Sequence, residues 1–148
     1  METVTTQQVL RAAAVIVLGF GAGFDLRKQA LPGVFLAAVF VLGSILAVLF
    51  RDGMPWTYLI SLLPGLFLLS LVPVTRGGIG AGDGLLMLGI GTLLPVEEEL
   101  FILLAGLLLA SLYAAVLLLR RRGRDTAFPL VPFIHGGCLL LLLSGFFV

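Results

Sequence analysis

Two acids stand where a strongly apolar chain has least reason to put a charge. Asp83 sits in "RGGIGAGDGLLML" (residues 76–88), among five glycines and just before an apolar run. Asp25 closes another apolar stretch, in "GFGAGFDLRKQ" (residues 19–29). Ionisable residues at membrane depth are costly and are usually kept for function. Two carboxyls brought close together cannot both ionise cheaply, so the pair shares one proton. The ionised member can then take a proton from water while the other donates one to a substrate. That chemistry needs no metal. The single cysteine, Cys138, and the single histidine, His135, offer no metal-ligand cluster and no internal disulfide. Neither a cofactor nor a metal is expected.

The elements that must position these acids are membrane helices. The chain has 148 residues, of which 60% are hydrophobic and 11% charged. A soluble domain carries about a quarter charged residues. A helix needs about 20 mostly apolar residues to cross the hydrocarbon core. Six stretches qualify, near 7–25, 31–50, 56–74, 79–96, 99–119 and 127–147. They are too continuously apolar for barrel strands, which alternate. The expected fold is an all-α polytopic membrane protein with six transmembrane helices, a single domain over 1–148. The N-terminus has an acid before its apolar stretch and its basic pair after it, which fits a retained first span rather than a cleaved signal.

Charge sets the orientation. Arg27, Lys28, Arg76, Arg120, Arg121, Arg122 and Arg124 fall after spans 1, 3 and 5, whereas the other gaps hold Arg51 with Asp52 and Glu97 to Glu99. Seven bases against one place the basic gaps in the cytoplasm and both termini on the outer side. Asp25 follows one crossing and Asp83 follows three, so both belong at the cytoplasmic face and at similar depth. The net charge of +1 gives no field that would recruit nucleic acid.

The glycines of "GGIGAGDG" are not a phosphate cradle: no Lys-Ser/Thr follows, and no flanking strands exist. Gly78/Gly82 and Gly80/Gly84 form GxxxG pairs, as do Gly19/Gly23 on span 1. These small faces are expected to meet and draw Asp25 towards Asp83. Glycine also lets backbone approach a peptide. Pro64 predicts a kink in span 3, and Trp56 and Tyr58 suit the outer interface. Glu97 to Glu99 suit the first turn of span 5. The serines have no neighbouring base, so a serine hydrolase is unsupported. "RRRGR" suits anionic headgroups of membrane lipids.

These residues resemble the type IV prepilin peptidase and preflagellin peptidase family, the GxGD membrane aspartyl proteases. "GAGD" (Gly80 to Asp83) matches its signature. "DLRKQALPG" (Asp25 to Gly33) is similar to its first motif, and "FPLVPFIHGG" (Phe128 to Gly137) to its Pro-Phe element. The resemblance implies Asp25 and Asp83 as the catalytic pair, with Gly80 and Gly82 shaping the approach to substrate. It implies an endopeptidase of the inner (cytoplasmic) membrane with its active site towards the cytoplasm. The implied partners are pilin-like precursors, which would lose a short basic leader. Leu85 stands where bacterial members commonly carry Lys, and Gly33 where Asn is usual. The paired-cysteine segment linked to N-methylation is missing, so cleavage without methylation is expected. Presenilin-type proteases share GxGD but need Tyr-Asp and Pro-Ala-Leu; here Phe24 precedes Asp25 and no "PAL" occurs. Two other readings use the same acids: a proton- or cation-coupled transporter, and an inactive scaffold keeping the fold.

Overall fold

The computed structural model describes residues 2–28, 31–50, 55–75, 80–120 and 129–144. Among these, every regular element is a helix: α1 (Glu2–Lys28), α2 (Gly33–Phe50), α3 (Pro55–Ser61), α4 (Leu63–Leu71), α5 (Ala81–Leu93), α6 (Val96–Leu119) and α7 (Val131–Ser144). The charges of 51–52, 76 and 121–125, and the two chain ends, lie outside the described residues.

Among the described residues three helices are long and apolar enough to cross a membrane, over Thr6–Arg27, Gly33–Phe50 and Val96–Leu119. At 22, 18 and 24 residues they reach roughly 33, 27 and 36 Å, against about 30 Å of hydrocarbon. Among the described residues two of the other apolar helices stop earlier than the sequence suggests: Trp56–Leu71 ends short of the expected 74, and Ala81–Leu93 short of the expected 96. The last apolar helix covers Val131–Leu143, and residues 127–128 and 145–147 of the expected 127–147 lie outside the described residues.

Each shortening seen within the described residues has a local cause. The third stretch breaks at Leu62, whose N–H reaches back only three residues, to the Leu59 carbonyl at 3.2 Å. Pro64, in the first turn of α4, has no N–H and crowds the preceding turn, so the expected kink is a break between α3 and α4. The fourth stretch ends at Leu93 because Leu94 turns extended and Pro95 follows. From Leu86 to Leu94 every residue but the half-buried Leu88 is buried. Irregular backbone is tolerated at membrane depth when protein covers it.

Without a hydrophobic driving force between helices in lipid, close contact has to hold them together. Helix α6 packs along α7, and α7 along α1, while α5 is gripped by α2 and α4. A Cβ on Gly137 would lie 2.5 Å from the Ile102 carbonyl oxygen, so glycine alone permits the α6–α7 approach. Gly91 likewise lets α5 touch the Ser61 backbone. There the Ser61 hydroxyl lies 2.8 Å from the carbonyls of both Tyr58 and Gly91, bridging α3 and α5. Leu18, Leu86, Met87, Ile90, Ile102, Val131 and Ile134 fill the shared core.

Candidate active site

Asp25 lies in the last turn of α1 and is buried, with 7% of its surface exposed. A carboxylate at a helix C-terminus opposes the macrodipole. It is held by a second helix, whose dipole favours it. The Val131 N–H, opening α7, donates to Asp25 Oδ2 at 3.0 Å. The local sequence explains why that donor is open. The Leu130 carbonyl accepts the N–H groups of Phe133 and Ile134, at 3.0 and 3.2 Å, which starts the helix there. Pro132 occupies a first-turn place where no N–H is needed. The first amides of α7 therefore point outward, as they do at anion sites on helix N-termini. Gly21, one turn before Asp25, lets α7 come in: a Cβ there would stand 3.3 Å from Val131 Cγ1.

Asp83 is placed differently. Gly80 is the extended N-cap of α5, and its N–H donates to Asp83 Oδ2 at 3.3 Å. The Asp83 N–H in turn reaches the Gly80 carbonyl at 3.1 Å. An acid at this third helical position is oriented by its own cap and favoured by the dipole. Gly82 packs on the Leu31 side chain, so the start of α5 sits beside the chain that leaves α1. Leu85 is exposed.

The two acids therefore share one end of the helix bundle, at the last turn of α1 and the first turn of α5. The glycine faces expected to bring them together do something else. Gly19 faces the His135 ring, Gly23 has nothing within 4 Å, and Gly84 seats Leu69 of α4. The reason is that α7 wedges against α1, and α4 against α5, so Gly19 and Gly84 meet other helices, while Gly78 lies outside the described residues. Gly21 alone keeps a contact across to α5, with the Leu86 side chain.

The sequence reading missed the amide of Val131. A signal was present: "PLVP" is a helix-start pattern, and it falls at the same face as the two acids. It also missed that Arg11 and Glu98 pair at the far end of the bundle, although it had put both on one side. Arg11 Nη2 donates to Glu98 Oε1 at 2.7 Å, and Nε lies 3.1 Å from both carboxylate oxygens. His135 lies one turn into α7 from Val131, and its Nδ1 is buried without a hydrogen-bond partner. Among the described residues no three His, Cys, Asp or Glu side chains gather as a metal site would need. The hydroxyls of Ser44, Ser61, Ser70 and Ser111 all bond to backbone carbonyls.

Comparison with known proteins adds one finding. The chain matched no curated protein and no solved structure. The model of the type IV leader peptidase family matches residues 12–117, which include both acids and the Gly80–Asp83 turn but not α7. With that match over most of its length, and two acids at one end of an apolar helix bundle, the chain belongs to the type IV leader peptidase family.

Proposed function

We propose that the protein is a membrane-embedded aspartyl endopeptidase. It removes the short basic leader of type IV pilin-like precursors at the cytoplasmic face of the inner membrane, without methylating the new amino terminus. Asp25 and Asp83 form the catalytic pair. The observation that carries this reading is their common end of the bundle, with each carboxyl accepting a hydrogen bond from a helix-terminal amide and, among the described residues, no ion pair to a base. The seven bases of the alternate gaps support a cytoplasmic site.

The chemistry follows from one proton shared between two carboxyls. The ionised member takes a proton from a water as that water attacks the scissile carbonyl carbon. The protonated member donates to the carbonyl oxygen, giving a neutral tetrahedral diol. On collapse, the carbon–nitrogen bond breaks and a proton passes to the leaving amine, so the pair ends in its starting state. Hydrogen bonds from Val131 and Gly80 fix one oxygen of each carboxyl and leave its other oxygen for the reaction. Gly80 and Gly82 carry no side chains that would hinder an extended peptide approaching this turn.

The test is incubation of the purified protein with a pilin-like precursor, followed by mass measurement. The expected product is lighter by the leader alone, with no added methyl group. Asp25→Asn and Asp83→Asn should each abolish cleavage. If either variant cut at the wild-type rate, the pair would not be catalytic. Ion flux into vesicles lost in both variants, with no precursor cleaved by the wild type, would favour the transporter reading.

A further inference from the structure

His135 takes no part in the acid pair, yet it sits close to it. It follows Val131 by four residues on α7, or about 6 Å along the helix, and Val131 is the residue whose amide holds Asp25. The ring lies over α1: its Cε1 stands 3.5 Å and its Nε2 3.9 Å from where a Cβ on Gly19 would be. Gly19 precedes Asp25 by six residues, or about 9 Å along α1. The imidazole is therefore one to one and a half turns further into the bundle than the carboxyl.

A polar ring in this place carries a penalty. Its Nδ1 is buried with no hydrogen-bond partner, a net loss that a leucine here would avoid. A hydrogen on Nδ1 would be a buried donor without an acceptor, so the neutral ring carries its hydrogen on Nε2. The residue as a whole is half-buried, and the flank beside it is open. Gly23, one turn after Gly19 on the same face of α1, is exposed and has nothing within 4 Å. The other flank of α1 is closed by the Phe24–Phe35 ring pair, with centroids 5.4 Å apart. Along the open seam between α1 and α7 the surface is apolar, with Ile16 58% and Leu139 41% exposed. An apolar helix laid on that seam ends beside Asp25.

We propose that the α1–α7 seam seats the apolar helix of the precursor and that His135 reads it, donating from Nε2 to a carboxyl or carboxamide side chain on that helix. The proposal rests on the peptidase reading and adds a specificity determinant to it. Helical residues advance 1.5 Å each, so an offset of about 6–9 Å puts the recognised side chain about four to six residues beyond the cut. At hydrocarbon depth neither group has water as an alternative partner, so each favours the other. His135 selects the substrate and takes no part in the proton transfers.

The test uses pilin-like precursors that carry a single Glu, Gln or Leu at successive positions of the helix after the cut, with kcat and KM measured for each on the purified protein. One position should favour Glu and Gln over Leu by roughly tenfold in kcat/KM. His135→Leu should erase that preference while cutting the Leu precursors as fast as the wild type. His135→Gln, which keeps an N–H donor, should restore part of it. Gly23→Leu, which fills the open flank, should raise KM for every precursor while circular dichroism stays helical. Cleavage indifferent to the side chain at every position (the result for a seam that lipid tails fill), a preference that survives His135→Leu, or an unchanged KM in Gly23→Leu would each overturn the proposal and leave the peptidase reading standing. No cleavage of any precursor would overturn both.

Discussion

The two ends of the helix bundle hold their acids in opposite ways. At one end Glu98 is buried and locked to Arg11, with a shortest contact of 2.7 Å, and Glu99 is fully buried beside it. At the other end Asp25 and Asp83 accept hydrogen bonds from the backbone amides of Val131 and Gly80. A guanidinium stays charged at any ordinary pH, so a carboxylate that shares three contacts with it is tied up in an ion pair and poorly placed for proton transfer. A backbone amide orients a carboxyl and lends partial charge without an ion of its own. The difference separates acids that fasten helices from acids that remain available for acid–base work.

The largest expected effect is on catalysis. Asp25→Asn or Asp83→Asn should lower precursor cleavage by roughly 10³-fold or more, measured as leader released per unit time. Glu98→Gln should leave the reaction nearly intact in whatever protein stays folded. That split between the two ends breaks the comparison if the Glu98 variant loses cleavage as an Asp variant does, without loss of fold.

The second effect is on stability. Arg11→Met alone strands the Glu98 carboxylate in a buried place and should cost about 3–5 kcal/mol. Arg11→Met with Glu98→Leu should recover most of that loss, because an apolar pair of similar size has no charge to desolvate. Thermal unfolding in detergent of the two single variants and the double variant measures it.

A finer test uses the amide that holds Asp25. Val131→Pro removes the N–H from a first-turn helix position, where proline is accepted. It leaves the carboxyl without its 3.0 Å donor. Losing a hydrogen bond to a charged group is worth about 1.5–3 kcal/mol, so cleavage should fall roughly 10- to 100-fold with helix content unchanged. Val131→Ala, which keeps the N–H, should fall far less.

The smallest effect sharpens the idea of a shared proton. Cleavage should follow a bell-shaped pH profile, failing at low pH when both carboxyls are protonated and at high pH when both are ionised. In Glu98→Gln the bell should keep its position. A profile with a single limb would mean that only one of the two acids titrates in the reaction.

Much of this architecture can be read before folding. Apolar runs bounded by "DLRKQ", "TRGG" and "VEEE" mark helices, because backbone amides in lipid must be satisfied within the helix. Pro64 marks a break for a local reason, its missing N–H. Counting crossings puts Asp25 and Asp83 on one side. Helix length was less legible. The run at 79–96 is apolar enough to span, yet α5 stops at Leu93, where Leu94 turns extended before Pro95, and burial among α1, α2, α4 and α6 lets that irregular backbone persist. Hydropathy does not distinguish lipid from protein as the apolar neighbour. The glycine pairs misled for a related reason: small residues announce a close approach but not the partner. Gly84 received Leu69, and Gly19 received His135.

By itself, the sequence determined that the chain is helical and apolar and that its two isolated acids end up at the same end of the bundle. Those properties depend on local hydrogen bonding and on the parity of crossings, both written along the chain. Only the tertiary structure decided who holds each acid. The Val131 amide reaches Asp25 across 106 residues and Arg11 reaches Glu98 across 87, and such partners follow from which helices pack side by side. Packing is settled by shape, at glycine contacts such as Gly21 against Val131, and one chain's residue types do not reveal shape until the helices are assembled.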